Sequence, residues 1–253
     1  MVEYRTAAAG NSVNRKGRFL LVVDSDQAHL SFMSLLLQRF GYKTFTAATA
    51  KEALALTAVT VPSLITAAAD LADMSGIELM QRLKEDTATE GVPLIAMRKQ
   101  DDVIGEEQCF KQGVIDCLSK PVSIEELYRV VQEVLETTPR AHIRIKTLLP
   151  VQSAEAVHDC FNEACATDLS EGGMFVRTKN PAAVHTSLSC RLHVYEQTIP
   201  MDTIVLYRRH EDGRPFLEPG MGLRFSKIAS SDRDVIRRFV RNEITRGLPS
   251  AHA

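Results

Sequence analysis

From Arg18 onward, continuous apolar runs alternate with segments of helical spacing. Phe19-Leu20-Leu21-Val22-Val23 has the pattern of a strand buried on both faces. Leu30, Met33, Leu37 and Phe40 recur at helical spacing, and Gly41 suits the helix end. Lys43 to Ala48 reads as a second strand, and Thr49-Ala50-Lys51-Glu52 is a capping box opening a helix through Leu56. Leu64 to Ala68 predicts a third strand, and Ile77, Leu79, Met80 and Leu83 predict the helix after it. Pro93 to Met97 is a fourth strand, Asp102 to Gln112 a helix with Gly113 behind it, and Asp116-Cys117-Leu118 a short fifth strand. Ser123-Ile124-Glu125-Glu126 is a second capping box, leading a helix through Leu135. Five strands alternating with five helices predict an α/β doubly wound parallel sheet over residues 18–137.

The texture changes at Thr137-Thr138-Pro139, which reads as a very short linker. Beyond it come five short strand-like runs: Arg144 to Leu149, Met174 to Arg177, Leu188 to Val194, Thr203 to Tyr207 and Gly222 to Phe225. Turn residues separate them, the pattern of a small antiparallel β-barrel. A last helix is expected over about Ser231 to Arg246, with Ile236, Phe239, Val240 and Ile244 as its apolar stripe. Arg233, Arg237 and Arg241 share the opposite face and read as a solvated surface, since no helix-turn-helix precedes them. Residues 1–17 lack periodicity and read as a disordered lead-in, and 247–253 as a tail.

Composition narrows the class. A hydrophobic fraction of 45% and a charged fraction of 25% are ordinary for a globular protein. No run approaches the roughly 18 apolar residues of a membrane helix, and no signal peptide opens the chain, so a cytoplasmic protein is expected. Cys109, Cys117, Cys160, Cys165 and Cys190 are scattered and form no metal set, as expected of reduced thiols. Residues 1–138 carry 14 Lys and Arg against 19 Asp and Glu; residues 139–253 carry 16 against 13. The second half is too weakly basic to argue for direct DNA binding, yet it suits a small polyanion.

Two clusters in that half carry the most chemistry. They are Arg140-Ala141-His142-Ile143-Arg144 and Asp168-Leu169-Ser170-Glu171-Gly172-Gly173. An Arg fork grips phosphate oxygens bidentately and also matches guanine O6 and N7. The ionised Asp168 offers only acceptors, which suits the N–H donors of a guanine edge, and Ser170 can donate to phosphate. Gly172 and Gly173 are expected to take positive φ and bring backbone N–H groups to the anion. Each cluster alone has a plainer reading: surface charges near a helix end for the arginines, an Asx-type turn for the second. Together, in order, with Gly220-Met221-Gly222-Leu223-Arg224-Phe225 and a helix behind them, they resemble the RxxxR and D/NxSxxG motifs of the PilZ family. The resemblance covers residues 139–246 and implies cyclic di-GMP as ligand, with no resident cofactor. Pro139 stands where many members of that family carry a further Arg, which bears on affinity and stoichiometry.

The first half resembles the receiver domain of two-component response regulators. The resemblance rests on Val22-Val23-Asp24, on Pro62 with Met74-Ser75-Gly76, and on Ser119-Lys120-Pro121. It implies phosphoryl transfer to an Asp at the end of the third strand, with a divalent cation held by an acidic pair. Here the acceptor position is Ala68, the acidic pair is Asp24 with Ser25, the hydroxyl position is Arg98, and the aromatic switch position is Cys117. Asp24 and Lys120 remain, and a structural ion pair between them is expected. Asp70 or Asp73 is the alternative acceptor, although Asp70 falls in the loop beyond the strand.

The expectation is a non-enzymatic cyclic di-GMP effector. Its receiver-like half would bind a protein partner or a second copy of itself, and ligand captured at the Arg140–Arg144 segment would reorient the two halves. A ligand-independent scaffold and a phosphorylation-gated regulator with a non-standard acceptor are the alternatives.

Overall fold

A computed structural model describes residues 18–99, 106–155, 162–210 and 218–249. The lead-in at 1–17, the start of the helix expected from Asp102, Cys160 and the end of the tail lie outside the described residues. The chain divides into two compact units, with the division between Ala141 and His142.

The first unit runs β1 (Phe19–Val23), α1 (Gln27–Arg39), β2 (Lys43–Ala47), α2 (Ala50–Val59), β3 (Leu64–Ala68), α3 (Gly76–Glu85), β4 (Leu94–Lys99), α4 (Glu106–Phe110), β5 (Asp116–Lys120) and α5 (Ile124–Leu135). Its five strands are parallel in the order β2-β1-β3-β4-β5. The central β1 and β3 are the continuous apolar runs of the sequence, because helices cover a parallel sheet on both faces. Leu21, Val23, Ile65, Ala67 and Ala96 pack with Leu79, Met80 and Leu83 of α3.

Side-chain caps set the helix starts. The Asp26 carboxylate accepts from the Ala28 and His29 amides, Thr49 Oγ1 from Glu52, Ser75 from Ile77 and Ser123 from Glu126. In the box at Thr49 the return bond differs from the standard arrangement: Glu52 accepts from the Ala48 amide, one residue before the cap. Gly41 and Gly113 have φ of 93° and 73°, the left-handed turn that ends a helix.

The second unit runs β6 (Arg144–Glu155), β7 (Asn162–Ser170), β8 (Gly173–Arg177), β9 (Ser187–Val194), β10 (Gln197–Arg209), β11 (Gly220–Lys227) and α6 (Ser230–Thr245). The strands close into a barrel in the order β10-β11-β8-β7-β6-β9. Six strands replace the five expected. The added strand, β7, has Leu169 as its one large aliphatic residue, so its sequence shows no alternation. Pairing with β6 and β8 makes it a strand regardless. β6 and β10 also extend well past their expected ends, carrying Pro150 and Pro200 inside strands. Ile236, Phe239, Val240 and Ile244 are buried on α6, as their spacing predicts.

Candidate functional site

At one end of the barrel, β6 and β7 run side by side with Arg144 opposite Ser170, Ile145 opposite Leu169 and Lys146 opposite Asp168. Ile145 and Leu169 are buried. Strand alternation therefore puts Arg144, Lys146, Asp168 and Ser170 together on the other face. The structure thus gathers three of the sequence-predicted residues, Arg144, Asp168 and Ser170, and adds Lys146. The Lys146 ammonium sits 2.9 Å and 3.0 Å from the two Asp168 oxygens. Sequence reasoning missed Lys146, although its position two residues after Arg144 on a strand was a usable signal.

Glu171 and Gly172 form the tight turn from β7 into β8, and Ser170 faces Gly173 across it. Ser170 is buried, and its hydroxyl donates to the Gly173 carbonyl at 3.0 Å. In this arrangement its proton serves the turn. The glycines depart from expectation: neither Gly172 nor Gly173 has positive φ. Gly173 is needed for space instead. A β-carbon on Gly173 would lie 2.3 Å from the Leu223 carbonyl oxygen of β11, and one on Gly172 would lie 2.9 Å from the His142 ring. The Phe225 amide donates to the Gly172 carbonyl at 3.0 Å, fastening the turn to β11.

The helix face read as solvated is exposed at Arg237 and Arg241, and it also carries ion pairs. Arg237 grips Glu171 with two nitrogens, Nε at 3.1 Å from Oε2 and Nη2 at 2.5 Å from Oε1. Arg233 donates to the Glu171 carbonyl oxygen at 3.4 Å, and His142 Nδ1 lies 3.8 Å from Glu171 Oε2. The Arg237 bonds hold the Glu171 carboxyl below its ordinary range against the opposing effect of partial burial, with Arg237, His142 and Arg233 adding positive charge nearby. Contacts between residues about sixty positions apart leave no trace in local periodicity.

Arg140 falls in the first unit. Its amide donates to Gln132 Oε1 at 3.2 Å, and Gln132 belongs to a buried network with Tyr42 and Glu136 at the end of α5. Its guanidinium is exposed.

In the first unit, Asp24 follows β1, Ala68 ends β3 and Lys120 ends β5. Asp24 is buried, and its Oδ2 lies 2.6 Å from both Lys120 Nζ and His29 Nδ1. Its Oδ1 accepts from the Asp26 amide at 3.0 Å. Burial pushes this carboxyl up, but the bonds from His29, Lys120 and Asp26 outweigh it, so the group lies below its ordinary value. The Asp24–Lys120 pair is as expected; His29 was not foreseen. Its place three residues after the cap of α1 turns it back over Asp24.

The Ser25 hydroxyl donates to the Ala48 carbonyl at 3.1 Å and accepts from the Ala72 amide at 2.9 Å. Ala68 is fully buried, and a β-carbon on Gly76 would meet its carbonyl oxygen at 2.0 Å. Arg98 lies on β4 opposite Ser119. Cys117 is buried within β5. Asp70 pairs with Lys99, and Asp73 accepts from the Ala50 and Lys51 amides at the start of α2, both at 2.9 Å. Among the described residues no group of three His, Cys, Asp or Glu side chains is placed to hold a metal, and no helix is long and apolar enough to cross a membrane.

These two architectures match known families. Residues 20–132 match the response regulator receiver domain and residues 138–242 the PilZ domain. The chain thus carries a receiver domain followed by a PilZ domain. The phosphate regulon transcriptional regulatory protein PhoB of Pseudomonas aeruginosa is 30% identical over 122 residues, 48% of this chain and 53% of that protein. The transcriptional regulatory protein ZraR of Klebsiella oxytoca is 29% identical over 119 residues, 47% of this chain and 26% of that protein. The chain thus spans about half or less of the length of these regulators. Among solved structures, the receiver domain of the Francisella response regulator 1452 is similar, at 27% identity, 47% of this chain, 97% of that chain and a TM-score of 0.44.

Proposed function

We propose that the barrel binds cyclic di-GMP through Arg144, Asp168, Ser170, Gly172 and Gly173, with Arg140 contributed by the segment before it. The observation that carries this reading is the shared face of Arg144, Lys146, Asp168 and Ser170 at the β6–β7 end. On it a cationic fork stands two residues from an acceptor-only carboxylate, which suits a ligand presenting both phosphate oxygens and guanine N–H donors. The exposed Arg144 takes a phosphodiester. Asp168 exchanges Lys146 for the guanine edge, leaving the ammonium beside the phosphates. Ser170 keeps the turn closed, and Gly173 lets β8 approach β11.

The first unit then acts as a protein-contact module, for a partner or a second copy, rather than a phosphoryl acceptor. Its donor set does not fit a divalent cation: Asp24 is held by Lys120 and His29, Ser25 is committed to two backbone groups, and Ala68 offers no ligand. Neither Asp70 nor Asp73 favours the phosphorylation-gated alternative, since each carboxylate already has cationic or amide partners. Ligand capture at the Arg140–Arg144 segment would reorient the two halves. Such a shift is limited to the ligand's differential affinity for the two arrangements.

Titration calorimetry with cyclic di-GMP tests the reading. Wild type should bind, and Arg144→Ala should weaken binding by about tenfold to a hundredfold, as for a lost bond to a charged group. Absence of binding by wild type, or unchanged binding by the variant, rejects this site. Scattering profiles of free and saturated protein that superimpose would reject the reorientation.

A further inference from the structure

Glu171, in the turn between β7 and β8, does not point into open solvent. Its carboxylate is gripped by Arg237 with two nitrogens and lies 3.8 Å from His142 Nδ1, while Arg233 donates to its carbonyl oxygen. These partners come from α6 and from the residue two before β6, so two separate parts of the barrel unit converge on one anion. Asp234 also accepts from Arg237, at 2.8 Å, which keeps that guanidinium oriented if Glu171 leaves. The Glu171 side chain is about 20% exposed and that of Arg237 about 51%, so a solvent-borne anion can reach the pair.

A planar guanidinium with two parallel donors accepts carboxylate and phosphate with the same geometry. The residue just before Glu171 is Ser170, opposite Arg144 on β6. We propose that Arg237, with Arg233 and His142, forms a second phosphate-binding locus of the barrel, occupied in the free chain by Glu171 as a built-in competitor. A phosphodiester entering beside Arg144 takes over Arg237, and the displaced Glu171 frees the β7–β8 turn from α6. The proposal rests on the reading of the barrel as a cyclic di-GMP receptor, and it adds residues outside both motifs. The depressed titration of Glu171 agrees with an anion held in place at neutral pH.

The test is calorimetric titration of the full chain with cyclic di-GMP and, separately, with inorganic pyrophosphate. The proteins are wild type, Glu171→Gln, and Glu171→Gln combined with Arg237→Ala. Glutamine keeps the shape but gives up the charge, so cyclic di-GMP should bind about threefold to tenfold tighter, the scale of a half-exposed ion pair. Adding Arg237→Ala should abolish the gain. If Glu171→Gln binds no tighter while wild type binds well, the competitor is rejected and the receptor reading stands. If no protein binds cyclic di-GMP, the receptor reading fails and pyrophosphate decides the locus. Arg237-dependent pyrophosphate binding by Glu171→Gln upholds the locus, and its absence rejects it. Glu171→Asp, shorter by one methylene, replaces the glutamine variant if that variant misfolds.

Discussion

Replacing Asp24 by Asn removes the charge that faces Lys120 and His29 in the receiver domain. Asp24 is 2% exposed, and the Lys120 side chain, 2.6 Å away, is 12% exposed. Breaking a buried pair from one side leaves the other charge uncompensated, at a cost of about 3–5 kcal/mol. Lys120 retains some contact with water, so the lower end applies, about 3 kcal/mol. For a unit of this size that is a fall in Tm on the order of 10–15 °C. Differential scanning calorimetry of the full chain reads it. The double variant Asp24→Asn with Lys120→Met removes both charges and should be more stable than the sum of the single losses, by at least about 1.5 kcal/mol. The pH dependence has a definite sign. The folded carboxyl titrates below its ordinary value of 3.8, so its stabilisation is complete above that value and fades as pH falls through the lower, folded one. The advantage of wild type over Asp24→Asn should hold at neutral pH and narrow only in strong acid. A loss under about 1 kcal/mol, or strict additivity in the double variant, refutes the reasoning.

Three further outcomes are expected. Gly173→Ala places a β-carbon 2.3 Å from the Leu223 oxygen and must part β8 from β11; urea denaturation should show a loss of about 2 kcal/mol or more, with weakened cyclic di-GMP binding. Burial pushes the Cys190 thiol up to about 11, so iodoacetamide at about pH 8 should leave it unlabelled in the folded protein and label it after unfolding, as read by peptide mass. An acyl-phosphate donor with magnesium should add no stable mass to the chain; a gain mapped to Asp70 or Asp73 would restore phosphorylation as an input.

The first domain was legible almost throughout because its signals are local. Buried parallel strands announce themselves as Phe19–Val23 and Leu64–Ala68, and Thr49 and Ser123 mark helix starts within four residues. The barrel was legible in its motifs and less so in its strands. β7 contains Ala164, Ala166 and Thr167 rather than a run of large apolar residues, and Pro150 and Pro200 sit within strands that run past their expected ends. A closed barrel satisfies such strands from both sides, so pairing overrides weak intrinsic preference.

The candidate site divides the same way. Which chemical groups are available was determined by sequence alone: the methyl of Ala68 at the acceptor position, the forks of Arg140 and Arg144, the carboxylate of Asp168. What those groups do to one another was decided by the tertiary structure. It folded His29 onto Asp24, set Lys146 against Asp168, spent the Ser170 proton on Gly173, and closed Arg237 over Glu171. It also turned the two glycines from expected positive-φ positions into places where another strand or ring passes close. The physical reason is range. Capping and periodicity act over a few residues, whereas ion pairing and close approach depend on distances in space that only strand closure and helix docking establish.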